Sequence, residues 1–139
     1  MTDSSPRPRG EALAQISRGI VHLHRRYYGK GPTKAKTYAM NDTVVCMLSG
    51  GFTAVEQTLI ADGKTEDVED IRRSFQKTMR HQFTAVVEQA TGRSVIAYMS
   101  QVHSSPDMAV ELFVLEPAGT GLLGELEEAV VEEQEQRER

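Results

Sequence analysis

The residues best suited to chemistry lie between Arg18 and Lys36. These nineteen positions carry Arg18, Arg25, Arg26, Lys30, Lys34 and Lys36, with His22 and His24 interleaved and no acid. Within them the stretch YYGKGPTKAK, residues 27–36, combines Gly29, Gly31 and Pro32 with three lysines. Open glycine amides and flexible ammonium groups suit an anion. The stretch is not a P-loop. GKGPTK lacks the G-x-x-x-x-G-K-[ST] spacing, and it follows a helical pattern, so the chain leaves the negative end of a helix dipole there. The plain alternative is a helix stop with solvated lysines. The expected anion- or partner-binding set is Arg25, Arg26, Lys30, Gly31 and Lys34, joined by Arg93.

A second basic group, Arg72, Arg73, Lys77 and Arg80, follows later. Arg73, Lys77 and Arg80 recur at spacings of 4 and 3 and share a helix face. Glu69 and Asp70 can pair with Arg73 and Lys77 across adjacent turns, and no stacking-aromatic or helix-turn-helix motif accompanies them, so no nucleic acid is expected. The histidines do not form a metal pattern: His22 and His24 are two apart, on different helix faces, and H-E-x-x-H is absent. Ser100, His103 and Asp107 invite a hydrolase reading, but no G-x-S-x-G elbow exists and HSSPD is ordinary turn chemistry. Glu56 and Asp107 could act as a carboxylate pair only if the fold joined them. Cys46 is the sole cysteine and lies in the apolar run VVCML, as a buried structural thiol does.

The elements that position these residues follow from periodicity. Leu13, Ile16, Ile20, Leu23 and Tyr27 recur at helical spacing and predict a helix over 11–28, stopped by Gly29 and Gly31-Pro32. Strands are expected over 36–40 and 43–49, joined by Asn41-Asp42, two residues that tolerate positive φ. Thr53 and Glu56 have capping-box spacing and open a short helix. Thr65 then caps a long helix whose stripe is Val68, Ile71, Phe75, Met79, Phe83, Val86 and Ala90, ended by Gly92. Strands over 94–102 and 108–115 complete the order α-β-β-α-α-β-β. Two short-loop hairpins and helices with one apolar stripe predict an α+β fold: a two-layer sandwich with a four-stranded, mainly antiparallel sheet and long helices on one face. The helical stripes look larger than such a sheet can cover, so a homodimer with the 67–90 helix near its seam is expected.

Bulk properties narrow the class. The 139 residues suit one domain, assigned to 10–117 after a disordered lead over 1–9. The opening MTDSSPRPRG has no apolar core and does not read as a signal peptide. No window approaches the length of a transmembrane helix. The net charge of −4 is concentrated in residues 118–139, where seven Glu face two Arg. That segment reads as an acidic tail, mobile or a frayed helix.

Taken together, RGIVHLHRRYYGKGPTKAKTY, LSGGFTAVEQTL with ADG, RRSFQKTMRHQF and TGRSVIAYMSQVHSSPDMAVELFVLE resemble the MpsC-like family of small bacterial proteins over about residues 10–117. The matching positions are Gly29, Lys30, Gly31 and Pro32, then Thr53 and Glu56, Arg73, Gly92 and Arg93, Ser100, Asp107 and Phe113–Glu116. The resemblance implies an accessory role in a sodium-translocating system that generates membrane potential, with a link to inorganic carbon uptake. It implies no catalytic residue. The resulting expectation is a non-enzymatic accessory or regulatory homodimer, without cofactor or metal. It would be cytoplasmic or peripheral at the membrane, and would dock on a membrane transport protein or a small anion through its basic glycine-rich segment. The alternative is a ligand-sensing module for a nucleotide or phosphorylated metabolite.

Overall fold

The computed structural model describes residues 9–117. Along the chain these form α1 (Arg9–Tyr28), β1 (Lys34–Met40), β2 (Thr43–Ser49), α2 (Ala54–Ala61), α3 (Thr65–Thr78), α4 (Arg80–Thr91), β3 (Val95–His103) and β4 (Met108–Leu115). The lead expected over 1–9 lies outside the described residues except for Arg9, which opens α1. The acidic tail over 118–139 also lies outside them.

The fold is α+β, with one antiparallel four-stranded sheet in the order β1-β2-β4-β3. The β1–β2 hairpin closes over Asn41-Asp42 as expected, with Asn41 at φ 55° and Met40 opposite Thr43. Thr53 caps α2 in a complete capping box with Glu56. Gly92, at φ 69°, ends α4 in the left-handed region, a conformation glycine adopts without the steric penalty of a Cβ.

The expected helix over 65–91 is interrupted at Met79, which takes φ −90° and ψ 4°. Thr78 returns its hydroxyl to the Ser74 carbonyl at 3.1 Å, a local competition with the helical ladder that bends helices. Lys64, not Thr65, occupies the N-cap of α3. The inward stripe differs from the expected one by two exchanges of neighbours, Arg72 for Ile71 and Val87 for Val86. Ile71 is exposed and Arg72 is buried in its place, while Val68, Met79, Phe83, Val87 and Ala90 fill the core. In α1, likewise, His24 is buried and Tyr27 points outward.

Strand pairing puts three rows of side chains on the helix-facing side of the sheet. Ala35, Leu48, Ala109 and Val102 form one, and Ala39, Val44, Phe113 and Tyr98 another. Between them lies a polar row, Thr37, Cys46, Glu111 and Ser100. The core packs Ile16 and Ile20 of α1 and Phe83 and Val87 of α4 against these rows. Among the described residues no helix covers the opposite side of the sheet, and Tyr38, Met40, Met99 and Ile96 are 50%, 74%, 54% and 58% exposed. Most of the helical stripe residues pack within the domain; exposed apolar side chains remain on the helices at Tyr27, Val55 and Ile71 and on the sheet at Tyr38, Met40, Ile96 and Met99.

Candidate functional site

The glycine-rich stretch is held inward, in a knot around residues 51–53. Lys30 Nζ donates to the Phe52 carbonyl at 3.0 Å, and Gln57 Nε2 donates to the same oxygen at 3.0 Å. The Asp107 carboxylate accepts from the amides of Gly51 at 3.3 Å and Phe52 at 3.0 Å. Arg72 Nη2 donates to the Gly51 carbonyl at 3.0 Å. Arg72 Nε and the same Nη2 form a two-pronged bond to Glu56 Oε2 and Oε1, each at 2.6 Å, and the guanidinium lies 3.8 Å from the Tyr28 ring centroid. Such planar bidentate pairing is the arrangement arginine favours. Glu56 also accepts from the Thr53 amide at 2.9 Å, so one carboxylate both caps α2 and anchors α3. Burial by itself would raise the Glu56 carboxyl, but the bonds from Arg72 and Thr53 outweigh it and hold it below its ordinary range.

The expected anion set therefore does not converge. Lys30 is engaged in the knot. Gly31 lies against the Arg25 stem, where an added Cβ would sit 3.4 Å from Arg25 Cβ, and Arg26 covers the Tyr27 ring. Lys34 opens β1 at one end of the sheet. Arg93 sits at the other end, ion-paired with Asp42 at 2.5 Å and bonded to the Glu116 carbonyl at 2.6 Å. Seven residues of extended strand, roughly 20 Å, separate the two ends. Most of the family-motif positions thus have mechanical work: Gly29 and Gly92 end helices, Pro32 is buried beside the knot, and Thr53 and Glu56 build it. The Glu56–Asp107 pair does meet, across residues 51–53, but both carboxylates are engaged with backbone amides. Ser100 and His103, three apart on one strand, face opposite sides of the sheet and form no triad with Asp107.

Two motif positions do come together elsewhere. Arg73 on α3 and Ser100 on β3 line a groove of about 330 Å³, together with Gln76, Lys77, Arg80 and Tyr98. Behind this wall lies Glu111, 1% exposed, the residue that sequence reasoning passed over. Tyr98 donates its hydroxyl to Glu111 Oε2 at 2.5 Å. His24 Nδ1 bonds the Ile20 carbonyl at 2.8 Å, which makes Nδ1 the protonated nitrogen and leaves Nε2 facing Glu111 Oε1 at 3.9 Å. Burial pushes the Glu111 carboxyl up to about 7, against the opposing pull of Tyr98, Ser100 and the Arg72 charge. Burial likewise lowers His24 and lifts the Cys46 thiol to about 11. Cys46 is thus an unreactive thiol in the core. The one signal for Glu111 in the sequence is parity: it shares a strand face with Ala109 and Phe113, both turned to the helices.

A two-layer α+β domain with a buried ionisable centre and a bare sheet face has no described helix long and apolar enough to cross a membrane. Residues 8–117 match the MpsC family, described as Na+-translocating membrane potential-generating system (MpsC), and the chain belongs to that family. Neither a curated protein nor a solved structure matches it.

Proposed function

We propose that this protein is a non-enzymatic accessory or regulatory component of the sodium-translocating system for which its family is named. It works at the cytoplasmic face of the membrane as a homodimer. The observation that carries this reading is the bare outer face of the sheet. Tyr38, Met40, Val45, Met47, Met99, Val110, Leu112 and Val114 share that face by strand register. A contiguous apolar surface of this kind marks an interaction site. A second copy of the chain fits it by charge. The face includes no acid, and Lys34 and Lys36 lie at one end of it, so a two-fold copy with strands reversed sets the lysines at opposite ends of the stack. The groups expected to face an anion or an acidic partner reduce to Arg25, Arg26 and Lys34: Arg25 and Arg26 lie on α1, away from the dimer face, and Lys34 lies at the end of that face.

Sedimentation at micromolar concentration tests the dimer: the wild type sediments at twice the chain mass and Leu112→Asp at the chain mass. A monomeric wild type overturns it. The accessory role has a separate test. Cells relying on Leu112→Asp should hold a lower sodium-dependent membrane potential than wild-type cells, and an unchanged potential counts against the role.

A further inference from the structure

The groove between α3, the start of α4 and β3 has no part in the dimer reading. Its wall presents Arg73, Lys77 and Arg80, and its floor Tyr98 and Ser100. It exists because the chain breaks at Met79, which sets Arg80 in the first turn of a new helix whose N-cap supplies no side-chain hydrogen bond. Among the described residues Lys77 and Arg80 form no ion pair, and Arg73 gives one of its donors to Asp70 at 2.8 Å in an exposed pair worth little. The Ser100 hydroxyl is buried on the floor beside the Tyr98 hydroxyl and the Glu111 carboxylate, with no hydrogen bond of normal geometry to either.

We propose that this groove binds the phosphate ester group of a small sugar phosphate, gripped by Arg73, Lys77 and Arg80 with Ser100 as a neutral donor. Three cations about one locus match a dianion better than a single carboxylate. Arginine supplies paired donors to phosphate oxygens and lysine a mobile point charge. The volume, about 330 Å³, exceeds what inorganic phosphate needs and lies at the small-metabolite end of ligand pockets. The groove continues into a cleft lined by Glu69, Gln101 and Val102, sharing Arg73, Gln76 and Ser100 with it. Glu69 offers an acceptor there for sugar hydroxyls. β3 is an edge strand, so main-chain groups along its free side remain available as well.

The test is a thermal-shift titration of the full chain at fixed ionic strength with ribose 5-phosphate, AMP, inorganic phosphate and unphosphorylated ribose. Ribose 5-phosphate or AMP should give a saturable rise in Tm, ribose none, and inorganic phosphate at least about tenfold weaker binding than the better ester. The Lys77→Ala/Arg80→Ala double variant, altered only at exposed side chains, should keep its unliganded Tm and bind the ester about tenfold or more weakly. Glu69→Gln should weaken the ester and leave inorganic phosphate unchanged. Arg18→Ala/Lys64→Ala, an equal loss of charge at exposed positions elsewhere, should bind as the wild type does. The proposal is overturned if no phosphorylated probe saturates, if inorganic phosphate binds as tightly as the esters, or if the Lys77/Arg80 variant binds normally. Sedimentation of the same samples separates this outcome from failure of the dimer.

Discussion

Glu111 shows how one buried side chain can dominate the behaviour of a small core. Its carboxyl titrates at about 7 in the fold, and near 4.5 when the chain is unfolded and solvated. The folded state therefore holds the proton more tightly. The associated stability is fully present below the unfolded value and is lost as pH rises through about 7. The free energy involved is on the order of 3 kcal/mol. His24 works in the opposite sense: burial lowers it, so its contribution is present above about 6.5 and lost as pH falls. Glu111→Gln removes only the first of these. Urea unfolding at about pH 5 and about pH 8 should therefore show the variant gaining on the wild type at the higher pH, by on the order of 3 kcal/mol, while His24 cancels in the difference. A difference that does not change with pH refutes the assignment. Glu56 enters only in acid, because its depressed carboxyl surrenders stability as pH falls below the ordinary carboxylate range. Nothing local in MAVELFVL announces a buried acid. A reading that turns polar residues to solvent would invert the strand, and only the aromatic hydroxyl of Tyr98 and the helix above it, both distant in sequence, reverse that preference.

Among the elements, α1 and α4 approach closely at Gly19. A Cβ built on Gly19 would lie 2.6 Å from Val86 Cγ1, and Val86 is β-branched and stiff at χ1, so it cannot turn aside. In an isolated helix Gly→Ala gains about 1 kcal/mol. Here overpacking should reverse the sign, and Gly19→Ala should destabilise the protein by about 1–3 kcal/mol in denaturant unfolding. A stabilised variant would show that the two helices can slide apart. Element starts and stops were legible in the sequence because they are written in local chemistry: glycine ends, the Thr53–Glu56 box, the Asn41-Asp42 turn. The break at Met79 was not, because no glycine or proline marks it. Nor was the exchange of Ile71 for Arg72 on the inner side of α3. Helical spacing favours the apolar neighbour, and Arg72 turns inward only because Glu56 waits on a different element.

At the scale of the whole domain, the described residues form two layers, with their helices on one side and an apolar sheet face on the other. The knot at residues 51–53 joins that architecture across the ends of α1 and α2, the middle of α3 and the β3–β4 turn. Replacing Arg72 with Ala leaves the Glu56 carboxylate buried without its partner. That loss should cost about 3–5 kcal/mol, measured by equilibrium unfolding. A change of under about 1 kcal/mol would mean that water reaches Glu56 and does the work of the guanidinium. At this scale the anion set expected from the sequence is spread over both ends of the sheet. Arg93 and Lys34 are near in composition and charge, but a strand length keeps them apart, and distances of that kind are set by topology.

The same knot has a consequence in time. Its members come from positions 28, 30, 56, 72 and 107, so none is satisfied until chain segments far apart in sequence have met. Contacts of such separation form late, after the hairpins and the helices they support. Arg72→Ala should therefore leave the refolding rate nearly unchanged and appear almost wholly as faster unfolding. The amide of Phe52, bonded to Asp107, should exchange with solvent deuterium only when the entire domain opens. A glycine-rich stretch with the look of a mobile ligand loop would then be among the slowest parts of this protein to let go.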